Sequence, residues 1–392
     1  MKPSSQPAIL TFIAVLVLVA LAPAQTFTTL YNFTGGTDGG DPFDGLIRDS
    51  AGNLYGTASR GGSDGGVVFE VTSSGTEIVL HTFTEGATDG GFSRAPLLRD
   101  PEGNLYGTTV YGGTSNSGVV FKIDTAGNET VLYNFAGGYS DGCNPWQGLV
   151  MDGKGNLYGT TEACGPGGYG TVYKLTTKGE EKTLHNFGGS DGVVATEGHL
   201  LMDKAGDLYG VTAFGGAGGC KPGGYGGCGV LYKLTRTGTF TLLHSFAGGS
   251  SDGCYPVGSV RMDQAGNLYG TTGACGSSNN GTVWTMNPEG KETILYNFAG
   301  GTSDGCAPEA GVTLDSKGRL YGSTTLCGAN NFGTLWKLNK KGVITLLHSF
   351  NGRDGYEPLG ELVHTATGEL FGTTYGGGAD GNNAGTVWKY VP

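Results

Sequence analysis

One unit of roughly fifty residues repeats seven times between Phe27 and Pro392. Each copy contains a D-x-x-G turn, an x-L-Y-G-T segment and a strand-like G-x-V-aromatic segment, in that order. A period of this size with several strand-like segments is typical of a β-propeller, and it predicts one all-β domain despite the chain length. The units are marked by Tyr55, Tyr106, Tyr158, Tyr209, Tyr269, Tyr321 and Phe371.

The third unit shows how the pattern fills a blade. Short strands, A to D, are predicted at residues 148–151, 156–161, 170–176 and 182–187, with glycine-containing turns between them. Gly159 lies inside strand B, where a missing side chain would let a neighbouring backbone approach closely. Four antiparallel strands in each unit predict a seven-bladed β-propeller with four-stranded blades.

The phase of the repeat predicts how the ring closes. The folded chain begins with a D-type strand, residues 28–33, and ends with a C-type strand, residues 386–391. The N-terminal strand should therefore complete the seventh blade and remove two exposed sheet edges. The same phase puts the D-to-A and B-to-C connections on one face, termed the long-loop face. Variable loops over a rigid scaffold make this face the candidate binding face.

The first 24 residues have the composition of a secretion signal. Ile9 to Ala22 is an apolar stretch too short for a spanning helix, and Ala22-Pro23-Ala24 matches an A-x-A cleavage site. We therefore expect cleavage near Ala24, which leaves residues 25–392 as a single propeller domain. No second stretch of this kind follows, so we expect a secreted or periplasmic protein without a membrane span in its mature chain.

The charge balance argues against a nucleic-acid partner. Charged residues make up 15% of the chain, and the formal net charge is −11 at pH 7. Sequence-independent binding to nucleic acid needs a basic surface, which this balance does not supply. No cofactor-binding motif occurs in a meaningful context, so we expect no cofactor, and we expect a monomer.

The eight cysteines are arranged in a pattern that predicts disulfides. Three units each hold two cysteines separated by 21 positions, the fourth unit holds a closer pair, and the remaining units hold none. Positions that are filled or emptied together are expected of a bonded pair in an oxidising compartment. A metal site is the alternative, but no C-x-x-C spacing or histidine accompanies the cysteines. The predicted disulfides are Cys143–Cys164, Cys220–Cys228, Cys254–Cys275 and Cys306–Cys327.

Two polar positions recur in every unit and could suggest a metal site. The D-to-A loop carries the aspartate of an Asp-Gly pair, which lacks calcium-loop spacing and is interpreted as an Asx-turn. Strand D carries a histidine or tyrosine, one per blade, which favours packing at the rim over convergence. The aspartates are Asp38, Asp89, Asp141, Asp191, Asp252, Asp304 and Asp354. The strand D residues are Tyr31, His81, Tyr133, His185, His244, Tyr296 and His348.

Aromatic residues form a regular column in strand C and an irregular set in the long loops. We interpret the column as core packing between blades. The loop set lies beside amides and suits a sugar through ring stacking and hydrogen bonds to hydroxyls, although packing of loop on loop is the alternative. The column is Phe69, Phe121, Tyr173, Tyr232, Trp284, Trp336 and Trp388. The candidate ligand-binding residues are Trp146, Phe43, Tyr255, Tyr169, Tyr225 and Phe332.

Polar residues of strand A line the predicted central channel. If the protein is an enzyme, its catalytic residues would have to come from this set. An extracellular lyase or hydrolase would need at least two of His199, Arg261, Glu361 and His364 to meet within hydrogen-bond reach of a shared pocket. No G-x-S-x-G or H-E-x-x-H motif occurs, so we assign no catalytic residue and no metal ligand.

The combined motif resembles a known repeat family. The unit reads Y-N-F-x-G-G-x-S-D-G-x-x-P, then D-x-x-G-N-L-Y-G-T-T, then G-T-V-[YW]-K-L, with its best copies at residues 133–175 and 296–338. This pattern looks like the GloVer tandem repeat of secreted bacterial proteins and covers nearly the whole mature chain. The D-x-x-G-N-L-Y segment alone also resembles NHL-type propeller repeats. The resemblance implies an exported repeat protein and carries no established activity.

These observations favour an exported, non-catalytic binding propeller. The scaffold repeats almost without change, while the long-loop face varies in aromatic residues, amides and cysteines. Disulfides would stiffen that face, so less conformational entropy would be lost on binding. A glycan is the favoured ligand, and a protein partner is the second possibility for such a binding module. The alternatives are an enzyme acting on extracellular polysaccharide and a purely structural protein of the envelope or matrix.

Overall fold

The computed structural model describes residues 25–193, 198–220 and 226–392. These residues form seven four-stranded antiparallel sheets, which are the seven blades of the predicted propeller. The predicted all-β class is thereby confirmed. Within these ranges no helix is long and apolar enough to cross a membrane. The expected secretion signal lies outside them.

The four strands of each blade pair in the order A-B-C-D, with strand A at the centre of the ring. The A strands are Ile47–Arg48, Leu98–Arg99, Val150–Met151, Leu201–Met202, Arg261–Met262, Thr313–Leu314 and Val363–His364. The B strands are Leu54–Ala58, Leu105–Thr109, Leu157–Thr161, Leu208–Thr212, Leu268–Thr272, Leu320–Thr324 and Leu370–Thr374.

Strands C and D form the outer half of each blade. The C strands are Val67–Val71, Val119–Ile123, Thr171–Leu175, Val230–Leu234, Thr282–Met286, Thr334–Leu338 and Thr386–Val391. The D strands are Glu77–Thr82, Glu129–Asn134, Glu181–Asn186, Phe240–Ser245, Glu292–Asn297, Ile344–Ser349 and, for blade 7, Thr26–Asn32. In the third blade every strand lies within two residues of its predicted bounds.

The N-terminal strand closes the ring as predicted. Thr26–Asn32 pairs antiparallel with Thr386–Val391 and becomes strand D of blade 7. The Phe27 ring stacks on His348 of blade 6 with centroids 3.9 Å apart. The residue that follows this strand, Phe33, is fully buried and contacts Phe69 of blade 1 at 5.0 Å. One segment therefore joins blades 6, 7 and 1.

The aromatic column of strand C forms the core, as predicted. All seven of its rings are at most 1% exposed. Each ring meets a buried phenylalanine that follows strand D of the preceding blade, as Phe298 meets Trp336 with centroids 5.7 Å apart. Equivalent contacts recur around the whole ring. Because aromatic side chains bury large apolar areas, these contacts stabilise the packing of each blade on the next.

The glycine of strand B does not have the role expected from the sequence. Gly159 lies opposite Tyr173 in its own sheet, and a Cβ there would lie 2.5 Å from the Tyr173 hydroxyl oxygen. Gly270 has the same relation to Trp284, with a separation of 2.4 Å. The missing side chain therefore makes room for the core ring of strand C, rather than for a neighbouring backbone.

The D-to-A and B-to-C loops lie on one face because they pair with each other. Two-stranded ribbons join them in blades 2, 3, 5 and 6, and single bridges join them in blades 1, 4 and 7. The ribbons are Gly90–Gly91 with Tyr111–Gly112, Gly142–Cys143 with Ala163–Cys164, Gly253–Cys254 with Ala274–Cys275, and Gly305–Cys306 with Leu326–Cys327.

All four predicted disulfides are confirmed, with Cα atoms 5.0–5.4 Å apart. Cys164 has a φ of 65°, and the equivalent residue of cysteine-free blade 2, Gly112, has a φ of 82°. A left-handed conformation costs a non-glycine residue about 1–2 kcal/mol, which the bond to Cys143 offsets. Without its partner a cysteine here would carry only the strain, which explains why both members occur or neither.

Candidate functional site

Phe43 and Trp146 lie side by side near the ring axis on the long-loop face. Phe43 belongs to blade 1 and Trp146 to blade 3, and their ring centroids are 6.3 Å apart at an interplanar angle of 80°. Because residues of non-adjacent blades meet this closely only near the axis, the pair lies at the mouth of the central channel. Each stands three positions before a buried leucine that precedes strand A, Leu46 or Leu149.

Arg94 joins these two rings and was missed by the sequence analysis. It occupies the same place in blade 2, three positions before the buried Leu97. Its guanidinium carbon lies 4.4 Å from the Phe43 ring, 4.5 Å from the Trp146 ring and 4.3 Å from the Phe92 ring. Such cation–π contacts are each worth about 0.5–2 kcal/mol. Phe43, Phe92, Arg94 and Trp146 are termed the mouth cluster.

The mouth cluster is half-buried and has polar groups beside it. Tyr375 packs edge-on against Phe43 at 5.9 Å. Burial raises the pKa of the Glu162 carboxyl, and the positive charge of Arg94 opposes that rise. The indole Nε1 of Trp146 is buried without an acceptor among the described residues. The cluster therefore offers ring surface, a cation and an unpaired donor in one place.

Three other predicted ligand-binding residues, Tyr255, Phe332 and Tyr169, lie apart from the mouth cluster. Tyr255 packs edge-on against Phe214 at 4.6 Å. Phe332 is 38% exposed and packs against a tyrosine of a neighbouring loop at 5.8 Å. Tyr169 packs against the core between blades 3 and 4, and Tyr225 lies outside the described residues. Of the five predicted residues that the structure describes, Phe43 and Trp146 therefore come together and the other three do not.

A second cluster lies deeper in the central channel. His199, Ser259 and Glu361 each precede the buried apolar residue that stands before strand A, and Arg261 is the first residue of its own A strand. These four residues are termed the channel network. The remaining blades have Gly45, Pro96, Gly148 and Gly311 at the position of the first three.

The channel network is one connected set of hydrogen bonds across blades 4, 5 and 7. The His199 backbone N–H donates to Ser259 Oγ at 2.9 Å. The Arg261 guanidinium donates to His199 Nε2 at 3.0 Å and forms an ion pair with the Glu361 carboxylate. Gly311 of blade 6 leaves room for this bridge, because a Cβ there would lie 3.3 Å from Glu361 Oε1. Glu361 Oε1 itself is buried without a donor among the described residues.

The arginine fixes the protonation state of the histidine. A guanidinium only donates hydrogen bonds, so His199 Nε2 must be the unprotonated, accepting nitrogen. Nδ1 then carries the proton and donates to Ser259 Oγ at 3.1 Å. Burial lowers the pKa of His199, Glu361 opposes this, and Arg261 adds to it. His199 is therefore held neutral and is not oriented to take a proton from Ser259.

Three of the four strand A residues considered for an enzyme thus converge. Arg261 lies within hydrogen-bond reach of both His199 and Glu361, whereas His199 Nδ1 and Glu361 Oε2 are 4.0 Å apart. The mutual contact required above is therefore present. His364 does not join them and packs against Tyr321 with ring centroids 5.0 Å apart. The fourth member, Ser259, was not predicted from the sequence. The only signal there is that a serine stands where several other blades have a glycine.

A different set of polar residues pairs at the rim between blades. The Asp-Gly aspartate accepts a hydrogen bond from the histidine or tyrosine of strand D, as in His81 with Asp89 at 3.2 Å and Tyr133 with Asp141 at 3.0 Å. Asp141 also accepts from the backbone N–H of Ala136 at 2.8 Å. The predicted local role of the aspartates is confirmed, but the sequence did not reveal that the two repeated series pair with each other.

Each pair of a strand D histidine or tyrosine with its aspartate is completed by a third residue, and the three together are termed a rim junction. The third residue is the first residue of strand D in the following blade, except that blade 7 supplies the second residue of its strand, Phe27. Phe240 stacks on His185 with centroids 4.0 Å apart, and Phe27 stacks on His348 in the same way. Blade 6 has Ile344 at this place. Blades 1, 2, 3 and 5 instead have Glu77, Glu129, Glu181 and Glu292.

The rim glutamates predict a stability that falls as the pH rises. Burial, followed by the charge of Asp38, raises the pKa of Glu77 from 4.5 to about 7. The folded state therefore holds a proton that the unfolded state has released between pH 4.5 and 7, and stability is lost as the pH rises through this window. Partial exposure of Glu77 reduces the size of this effect. We therefore expect Glu77→Gln to raise the free energy of unfolding by about 1 kcal/mol at pH 8 and to leave it unchanged at pH 4.5.

Urea unfolding of Glu77→Gln and the wild type at both pH values measures this difference. Glu180→Gln, on an exposed turn, is the control and should leave the free energy of unfolding unchanged at either pH. An equal effect of Glu77→Gln at pH 4.5 and pH 8 would contradict the prediction.

A groove lies on the opposite face, between the turns of blades 5 and 6. It encloses about 700 Å³ and is lined in part by Asp263, Asn267, Asp315 and Lys340. Its aspartates are already engaged, since Asp263 Oδ1 accepts from the backbone N–H groups of Ala265 and Asn267. These turns repeat almost unchanged from blade to blade, so the groove has fewer distinctive side chains than the channel mouth.

Comparison with known families agrees with the repeat seen in the fold. The model of the Gloeobacter/Verrucomicrobia repeat matches residues 17–152, 136–303 and 217–392. The chain belongs to this repeat family. The resemblance noted from the Y-N-F and N-L-Y-G-T-T motifs is thereby confirmed. No curated protein matches the sequence of this member of the repeat family.

Solved structures similar to this repeat protein share its fold at low identity. Virginiamycin B lyase from Staphylococcus aureus is 13% identical, with a TM-score of 0.60 over 94% of this chain and 99% of the lyase chain. The extracellular domain of a putative one-component system from B. thetaiotaomicron is 10% identical, with a TM-score of 0.56 over 93% of this chain and 40% of that one. At such identities the likeness shows the propeller fold alone.

Proposed function

We propose that this repeat protein is an exported, non-catalytic module that binds a glycan at the mouth of its central channel. The mouth cluster is the observation that carries the proposal. Phe43 and Trp146 stand at the same place in two non-adjacent blades and meet around one guanidinium. No column of the repeat requires an aromatic residue there, because the equivalent residues of blades 5, 6 and 7 are Val257, Glu309 and Leu359.

The cluster has the chemistry that a sugar ring needs. Aromatic faces stack on the C–H surface of a pyranose, while nearby donors and acceptors bind its hydroxyl groups. The unpaired Trp146 Nε1 and the channel network beneath it supply such polar groups. The contacts of Arg94 with three rings hold the cluster in place before the ligand arrives, which lowers the entropy lost on binding.

Export is proposed on two independent grounds. Four disulfides fit an oxidising compartment outside the cytoplasm. Residues 1–24 carry the charge, apolar stretch and A-x-A site of a cleavable signal. N-terminal sequencing of the exported protein should give a mature chain that starts near Gln25.

We expect the purified mature chain to bind a defined set of structures on a glycan array and Trp146→Ala to lose most of that binding. Removing a central aromatic residue from a binding site costs about 2 kcal/mol, which is roughly thirtyfold in Kd. Isothermal titration with the best glycan of the array measures the change. Phe43→Ala should weaken binding in the same direction.

Phe332→Ala is the matched control for this experiment. It removes a ring from the same face, but the ring lies in a separate loop contact and should leave glycan affinity unchanged. If the array is blank, a protein partner or a structural role replaces the glycan. If Trp146→Ala binds as tightly as the wild type, the site is not at the channel mouth.

An enzyme acting on polysaccharide is the second candidate, and the channel network is the observation that favours it. An acid, a histidine and an arginine lie in one connected set of polar contacts, and a lyase or hydrolase would need such residues to converge. Against it, Arg261 occupies the basic nitrogen of His199, so that nitrogen is not free to abstract a proton. Release of reducing ends or unsaturated products from polymers that bind, lost in His199→Gln, would establish the enzyme.

A further inference from the structure

Among the rim junctions of the described chain, the one between blades 4 and 5 brings a histidine, an aspartate and a glutamate close together. His244 is the penultimate residue of strand D of blade 4, and Asp252 lies in the loop that follows. Glu292 is the first residue of strand D of blade 5. One nitrogen and two carboxylate oxygens from these side chains lie within 4.8 Å of one another. We propose that His244, Asp252 and Glu292 bind a divalent transition-metal ion, with Zn²⁺ the ion that the donor set fits.

The distance between the ligand atoms of His244 and Asp252 suits a bound metal ion. His244 Nε2 lies 3.3 Å from Asp252 Oδ2. Bonds of about 2.0–2.1 Å at tetrahedral angles separate two ligand atoms of Zn²⁺ by roughly 3.3 Å. The ion would therefore sit between atoms that need little movement, and the neutral imidazole supplies its Nε2 lone pair once Nδ1 carries the ring proton. Water completes the coordination.

The charge at this junction is unbalanced without a cation. Glu292 Oε1 is buried and has no hydrogen-bond donor among the described residues. No lysine or arginine of the described chain forms an ion pair with Glu292 or Asp252, so two carboxylates face one histidine. A buried carboxylate oxygen left without a donor or cation is costly. A divalent ion would satisfy both carboxylates at once.

The aspartate is held in place for this role by its own loop. Asp252 Oδ1 accepts from the Gly253 backbone N–H at 2.7 Å, and Oδ2 accepts from the Ala247 backbone N–H at 2.7 Å. These bonds fix the carboxylate and leave each oxygen a further lone pair for a metal. The Cys254–Cys275 disulfide, which begins two residues later, further fixes the loop.

The other junctions serve as internal comparisons. The junctions of Asp38, Asp141 and Asp304 have a tyrosine in place of histidine, and those of Asp191 and Asp354 have a phenylalanine stacked on the histidine. The junction of Asp89 has all three residue types, but its ligand atoms do not lie within 4.8 Å of one another in the described structure. The full set of donors is close together only between blades 4 and 5 of the described chain.

Titration of tag-free, chelator-treated mature protein with Zn²⁺ at pH 7.5 tests the proposal, after a thiol assay has verified intact disulfides. We expect wild-type protein to bind Zn²⁺ and to gain thermal stability from it. His244→Tyr recreates the tyrosine–aspartate pair of other junctions and should fold normally, while Glu292→Gln keeps the shape of the side chain. Each should weaken Zn²⁺ binding roughly tenfold or more and abolish the thermal shift.

His185→Tyr is the matched control. It makes the same change at a junction whose third position is Phe240, and it should leave Zn²⁺ affinity as in the wild type. The proposal is overturned if wild-type protein binds no Zn²⁺, or if His244→Tyr and Glu292→Gln bind it as tightly as the wild type. Loss of binding in all three variants would also overturn it, because the effect would then not be specific to this junction.

Discussion

Removing residues 25–33 is expected to destabilise the whole propeller in one cooperative step. The deletion strips strand D from blade 7 and removes Phe27 and Phe33, which contact blades 6 and 1. Loss of a buried phenylalanine side chain alone costs about 3–5 kcal/mol, and the exposed C strand adds an unpaired edge. We expect a loss of at least about 5 kcal/mol, measured by urea unfolding followed by tryptophan fluorescence.

A permuted chain is the control for this deletion. Strand D of blade 7 runs antiparallel to Thr386–Val391, so residues 26–33 can follow Pro392 through a turn copied from residues 124–128. The permuted protein has the same contacts with ordinary blade connectivity and should regain most of the lost stability. If the simple deletion unfolds at the same urea concentration as the full mature chain, ring closure by this strand does not stabilise the fold.

Replacing one partner of the ion pair in the channel network is expected to lower the free energy of unfolding more than replacing both partners together. Arg261→Ile leaves the Glu361 carboxylate buried without its cation, and Glu361→Gly leaves the guanidinium without its anion. Removing one partner of a buried pair typically costs 3–5 kcal/mol, and partial exposure of Arg261 reduces this to about 2 kcal/mol. The double variant carries the residues that blade 1 has at these places, Ile47 and Gly45, and should lie within about 1 kcal/mol of the wild type.

A double-mutant cycle by urea unfolding measures this coupling. Additive losses in the double variant would mean that the two side chains stabilise the fold independently of each other. Near-wild-type stability would mean that the scaffold does not need the pair, since five other blades close the channel without it. In that case any loss of glycan binding by the double variant would point to a role of the channel network in ligand recognition.

The proposed metal site and the proposed glycan site lie at separate places in the ring. The mouth cluster lies near the axis in blades 1 to 3, whereas His244, Asp252 and Glu292 lie at the rim between blades 4 and 5. Failure of one test therefore leaves the other proposal intact. A rim metal would fix the long loop that carries Cys254, in a part of the ring where two disulfides already lie close together.

The sequence by itself determined the scaffold, because every element of it is repeated seven times. Periodicity placed the strands of the third blade within two residues of their observed bounds, and the phase of the repeat predicted closure by the N-terminal strand. Co-occurrence of cysteines at a spacing of 21 predicted three of the disulfides, and the fourth followed from the two cysteines left in one loop of the fourth unit. These inferences rest on comparing units, or on two cysteines within one loop, and need no knowledge of distance in space.

Only the tertiary structure decided which departures from the repeat meet. Phe43 and Trp146 are separated by two blade connections and become neighbours because the ring brings blades 1 and 3 to a common axis. The same closure joins Arg261 to Glu361, with a glycine of blade 6 leaving the space between them. Tyr255, Tyr169 and Phe332 share the composition of a binding site, yet they pack in separate loops and core contacts. A repeat specifies the blade, whereas contacts across the channel depend on the curvature of the closed ring, which no single unit encodes.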